Sequence, residues 1–271
     1  MTAAGQKADI PVNNLALLGI VGGLAGIYLA TILNDAMGVT YWSFLGAAGA
    51  IIATVWGADA VRTICKYGIG TGVPSIGMLA FGMGLLTTFL GLRAGDYIGI
   101  AIAGPVIALV LSLLMGAIIG FIANNNLKMK IPTMQVSMIY IAGAASLIMI
   151  GYFVALTGVF DYKTVMEEVV NTGYIAPVFI IGALPMLHPF NACLGPDEYQ
   201  RRTLTLSVEA ALMTTVVFGI ISLAIIDMPS AVITIVLGMI AWAYAYLAYW
   251  TKVKESGTTI LATGLLPAKE E

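Results

Sequence analysis

From Asn14 almost to Trp250 the chain alternates long uncharged apolar stretches with short polar breaks. A helix needs roughly 20 mostly apolar residues to cross about 30 Å of hydrocarbon. By that ruler the pattern predicts eight spans, at approximately 14–33, 40–58, 73–92, 97–123, 134–156, 174–190, 204–226 and 230–250. The sixth is the weakest. Pro177 and Pro185 fall inside it, so a short, kinked or re-entrant helix is expected there. The predicted fold is all-α: a single transmembrane helix bundle over residues 1–271, with short cytoplasmic tails at 1–13 and 251–271.

Composition sharpens the class. Apolar residues make up 60% of the chain and charged ones 10%, a balance foreign to a soluble domain of this size and expected of a multi-pass protein of the cell membrane. The direction of threading follows from the basic residues, because cytoplasmic loops collect positive charge. Of the 12 lysines and arginines, all but Arg93 and Lys163 fall in the tails or the even-numbered connections if both ends are inside. That split predicts an N-in, C-in topology. A re-entrant sixth segment would instead put Arg201 and Arg202 outside.

A formal charge of −2 with no basic stripe excludes nucleic acid as a partner. The polar N-terminal residues contain no short apolar core with a cleavage site, so no cleaved signal peptide is expected. Two cysteines, Cys65 and Cys193, offer neither a disulfide framework nor a four-thiolate metal cluster.

Glycine is used at helical spacing. Gly22, Gly23 and Gly26, Gly46 with Ala50, and Gly77, Gly82 and Gly84 are placed where backbones can approach closely, which predicts a tightly packed bundle. The cluster Trp242, Tyr244, Tyr246, Tyr249 and Trp250 reads as an interfacial belt at the end of the last span.

Ionisable groups inside a bilayer are expensive and are the first candidates for function. Glu209 lies about five residues, roughly 7 Å, into the seventh predicted span. It is either a carboxylate that helps hold or pass a cation or one half of a salt bridge between helices or subunits. Arg202, seven residues earlier, is its nearest candidate counter-charge along the helix. Asp35, Asp59, Asp96 and Asp227 fall at predicted span ends and read as boundary or cap residues. Asp59, followed by Arg62 and Lys66 at one and two turns, suits an amphipathic extension along the cytoplasmic surface.

The densest polar stretch runs from His188 to Arg202. Asn191, Asp197, Glu198 and Arg201 lie within it, and it reads either as an ion vestibule or partner-docking surface, with Asp197 a second candidate on a cation path, or as a solvated loop with a helix start. Lys66 to Ser75 lacks the Lys-Ser/Thr ending of a phosphate loop and reads as a hinge. No nucleophile, base and orienting group occur at a spacing that suggests catalysis. A weak pattern of duplication places the second-to-third and sixth-to-seventh connections in equivalent positions.

The stretches IGTGVPSIGML (Ile69 to Leu79) and HPFNACLGPDE (His188 to Glu198), with the glycine-rich first span and the eight-span layout, resemble the family of the C subunit of tetrahydromethanopterin S-methyltransferase. The resemblance covers essentially the whole chain. It implies a non-catalytic membrane subunit of a methanogenic archaeal complex that moves a methyl group from methyl-tetrahydromethanopterin to coenzyme M and couples this to sodium export. It further implies D and E membrane subunits as partners, a corrinoid (cobamide) held by another subunit with no cofactor in this chain, and sodium as the coupling ion. An autonomous secondary transporter of a small solute and a purely structural scaffold are the alternatives. A transporter would work alone, with a site near the broken sixth span.

Overall fold

The computed structural model describes residues 9–65, 72–192 and 200–255, and all regular structure among them is helical. The helices are α1 Val12–Met37, α2 Phe44–Cys65, α3 Gly72–Tyr97, α4 Gly104–Phe121, α5 Met134–Thr157, the short α6 Tyr162–Val165, α7 Ile175–Ala192, α8 Gln200–Ser222 and α9 Met228–Glu255. Seven helical stretches among these residues are long and apolar enough to cross a membrane, and a bent pair, Tyr162–Val170 with Ile175–His188, brings the number to as many as eight.

The sixth predicted segment, 174–190, is short but unbroken as α7, and the bend lies just ahead of it rather than at its prolines. The chain turns by 97° between 170 and 175, where Gly173 adopts φ +85°, a conformation glycine takes without steric cost. Pro177 sits in the first turn of α7, where its missing N–H breaks no helical bond, and the helix continues through Pro185. Beyond the bend α7 runs antiparallel to α3. Phe179 meets Phe81 edge-on at 5.6 Å, and Leu187 reaches Gly77.

The centre of the bundle is α5. Within its apolar window 89% of residues are buried, against 22% for α9, and its apolar residues face every direction rather than one stripe. It packs against α2, α4, α3, α1, α8 and α7. The seams are closed by small residues, as their spacing predicted. A Cβ on Gly46 of α2 would lie 2.7 Å from the Gly151 carbonyl oxygen of α5, and one on Gly116 of α4 would lie 2.4 Å from the Met138 carbonyl oxygen. Thr87 of α3 and Ser112 of α4 join by a buried hydroxyl–hydroxyl hydrogen bond.

At the end of the bundle remote from the N-terminal tail, α1 and α5 both stop on left-handed glycines, Gly38 and Gly158. Buried Asn34 ties these stops together. Its amide donates to the Gly158 carbonyl at 3.0 Å and its oxygen accepts from the Trp42 N–H at 2.9 Å. The outermost helix, α9, packs mainly on α8. Asp227 caps its start, accepting from the Ser230 amide at 3.1 Å, the Ser230 hydroxyl at 2.6 Å and the Thr40 hydroxyl. Asp35 and Asp96 likewise lie in the last turns of α1 and α3 with exposed or partly exposed side chains, so three of the four span-end aspartates are where the pattern put them.

Two outcomes test this packing. Gly46→Val should lower the melting temperature of the detergent-solubilised protein sharply, an overpacking cost of about 1–3 kcal/mol or more. Gly182→Ala, whose Cβ would meet its nearest atoms, in the Tyr152 ring and at Met149 Sδ, at 3.5 Å or beyond, should be tolerated. At Asp227, slight burial raises the carboxyl pKa, but the hydrogen bonds from Ser230 and Thr40 outweigh it and hold the group below its ordinary 3.8. A depressed folded-state pKa stabilises above the unfolded value, and that stabilisation is lost as pH falls through the folded one. Asp227→Asn should therefore lose less stability than the unsubstituted chain when a melting series is taken down through about pH 4.

Candidate functional site

The sequence of α8 builds two polar faces. Gln200, Thr203, Ser207 and Thr214 recur at three-, four- and seven-residue intervals and so share one side of a helix, whereas Thr205, Glu209 and Met213 share the opposite one. The first set is buried; of the second, Met213 is exposed and Thr205 and Glu209 partly so.

The inner face meets α2 and the N-terminal tail. Asp59 and Arg62 are 0% and 2% exposed, because α2 continues to Cys65 instead of ending near residue 58. The expected amphipathic extension along the surface is therefore corrected: these turns are inside the bundle. Arg62 Nε donates to Asp59 Oδ1 at 3.0 Å, and its Nη2 donates to Asp9 Oδ2 at 2.9 Å. Gln200 completes the cluster from the first residue of α8. Its Nε2 donates to Asp59 Oδ1 at 2.9 Å and to the Ile10 carbonyl at 3.0 Å, while its Oε1 accepts from the Ile10 N–H at 2.6 Å. A buried charge is tolerated only when paired and hydrogen-bonded, and this cluster meets that condition by drawing in three separate chain segments.

The outer face carries Glu209. Its Oε1 accepts from the Trp242 indole N–H of α9 at 2.6 Å, and the Trp242 ring stacks on Tyr246 at 5.7 Å. Trp242, assigned from sequence to an interfacial belt, is instead the group that orients this carboxylate. Among the described salt bridges Glu209 has none, so the anticipated pairing with Arg202 gives way to a neutral donor. Arg202 is buried on α8, whereas Arg201 is exposed. His188 is half-buried in the last turns of α7, at the end of the bundle that holds Asp59. The Asn191 backbone belongs to the same helix, and the positions of Asp197 and Glu198 lie outside the described residues. No group of three or more His, Cys, Asp or Glu that could hold a metal ion occurs among the described residues.

Asp59 and Arg62 are brought together with the start of α8, the helix that carries Arg201 and Arg202. Gln200 and Asp9 escaped sequence reading. Their only signal is position: a polar residue opening a helix and an acid ahead of α1.

The family model for the C subunit of tetrahydromethanopterin S-methyltransferase matches residues 1–270. The chain belongs to this family. Its curated relatives include the corresponding C subunits of Methanosarcina mazei, 47% identical over 98% of this chain and 96% of that protein, of Methanothermobacter thermautotrophicus, 35% identical over 99% and 98%, and of Methanocaldococcus jannaschii, 35% identical over 98% of each. It is thus a multi-helix membrane subunit of a methyltransferase complex, and other subunits of that complex are its partners.

Removing one member of the buried cluster leaves the other charge uncompensated. Arg62→Leu should cost about 3–5 kcal/mol of stability. Pairing Asp59→Leu with Arg62→Met should recover most of that loss, which thermal melting of the three proteins side by side would show.

Proposed function

We propose that this chain is the non-catalytic membrane subunit through which the complex couples methyl transfer from methyl-tetrahydromethanopterin to coenzyme M with sodium export. Glu209 is the residue that takes part in moving the ion. The observation that carries this reading is the contrast between two carboxylates. Asp59 is neutralised by Arg62 at 3.0 Å and sealed in the bundle. Glu209 is partly exposed on the outer face of α8, held by a neutral indole N–H and by no described cation. A carboxylate inside a membrane without a counter-charge among the described residues is an attractive hard oxygen ligand for a passing cation.

Its position on the outer face of α8 supports a path shared with a neighbouring subunit over an internal channel. The D and E membrane subunits supply the remaining oxygens in this reading. Asp197 and Glu198 lie outside the described residues; in this reading Asp197 is a second carboxylate on the cation path and Glu198 a candidate for docking a partner subunit. The corrinoid and the methyl chemistry belong to other subunits. An autonomous transporter fits less well, because the bend precedes α7 at an end of the bundle instead of interrupting a helix at the midplane.

Reconstituted complex tests the assignment. Glu209→Gln should lower sodium uptake per methyl group transferred while the D and E subunits still co-purify. Trp242→Phe, which removes only the orienting donor, should raise the sodium concentration for half-maximal uptake by about tenfold. Unchanged uptake in both variants would exclude Glu209 from the path.

A further inference from the structure

In the buried cluster one guanidinium serves two carboxylates. Arg62 Nε donates to Asp59 Oδ1 at 3.0 Å, and its Nη2 donates to Asp9 Oδ2 at 2.9 Å. These two nitrogens form one edge of the guanidinium, the edge that a single carboxylate can grip with both of its oxygens. Here that grip is divided. The nitrogen that would complete the pairing with Asp59 is turned to Asp9 instead, and Asp59 Oδ2 is left buried without a hydrogen bond. An acceptor in that position bears its desolvation penalty uncompensated.

The two competitors are held very differently. Asp59 is fixed within α2, whereas Asp9 is 49% exposed and belongs to residues 9–11, which have no regular structure. Beside it, Ile10 is gripped by the first residue of α8, since Gln200 accepts from the Ile10 N–H at 2.6 Å and donates to the Ile10 carbonyl at 3.0 Å. The Ile10 side chain packs on a small apolar cluster set apart from the main core, formed by Leu15 of α1, Val55 and Ala58 of α2 and Leu204 of α8. Pro11 follows with ψ 136° and α1 begins after it, so the segment can swing at Pro11 without disturbing that helix.

We propose that residues 9–11 form a releasable strap across the start of α8, with Arg62 as its latch. In the docked state, the one described above, Arg62 is shared and Asp59 Oδ2 is bare. On release Asp9 passes to water, and Arg62 Nη2 turns to Asp59 Oδ2. The resulting two-bond pair satisfies the oxygen that docking leaves unpaired, which offsets part of what undocking loses. Gln200 gives up Ile10 while keeping Asp59, and the first turns of α8 loosen with the strap. A subunit that took hold of the N-terminal tail would thereby act on α8. The strap acts on this helix whether or not Glu209 takes part in moving an ion.

Hydrogen–deuterium exchange of the native complex, resolved to single residues by fragmentation in the mass spectrometer, tests this. In the unsubstituted complex the Ile10 amide and the first hydrogen-bonded amides of α8, Leu204 to Leu206, should open together at a common rate, about tenfold or more faster than Ile148 to Ile150 of α5. Asp9→Asn should quicken both. Asp59→Asn separates a latch from a static contact by the sign of its effect. It withdraws the competitor for Arg62, so exchange at Ile10 and at the start of α8 should slow by about tenfold, whereas weakening a static cluster would speed it. Ile10 exchanging alone, with the α8 amides as slow as those of α5, would overturn the proposal on the unsubstituted complex. Faster exchange in an assembled Asp59→Asn complex would overturn it as well.

Discussion

The structure depends on enclosing α5 on every side. A helix that is apolar all round gains nothing from lipid over protein by the hydrophobic effect, so its neighbours are held by close packing instead. That packing requires backbones to touch. Gly46 and Gly151 meet across the α2–α5 seam, each carbonyl occupying the space the other's Cβ would need, and Gly84, Gly116 and Gly120 bring α3 and α4 to the same helix. Larger residues at these positions would push the neighbours outward and open voids through the centre of the protein.

Charge is organised around α8, which is polar on two faces for two different reasons. Toward α2 it meets a neutralised pair whose members are fixed by a glutamine and by the segment before α1. Toward α9 it presents a carboxylate fixed by an indole. The two sites are solutions to the same problem, that of keeping an ionisable group out of water. One compensates the charge within the chain, and the other holds it with a neutral donor.

Much of the fold was legible in the order of residues. The apolar runs located the helices to within a few positions, because a span has a fixed length and lipid accepts few charges. Glycine spacing marked the seams. Asp59 and Arg62 were misplaced because the run of apolar residues ends before the helix does. Nothing local reveals that the chain before α1 folds back to bury the next two turns. A kink was expected at the prolines of the sixth segment, whereas the bend falls before it at Gly173, whose left-handed backbone is a matter of conformation and not of composition. Glu209 could be singled out by its rarity alone, whereas its partner Trp242 could not, since a tryptophan near a span end has a commoner explanation in the headgroup region.

The central helix is also the middle one in chain order. Four of the helices that enclose α5 emerge from the ribosome before it, and α7 and α8 follow. An α5 segment entering the bilayer therefore finds most of its glycine-lined walls already in place, and the later helices close the remaining side. Burial proceeds in the order of synthesis, so the step at which this protein is most exposed to error is the arrival of α5 itself, when four earlier helices must already be aligned to receive it.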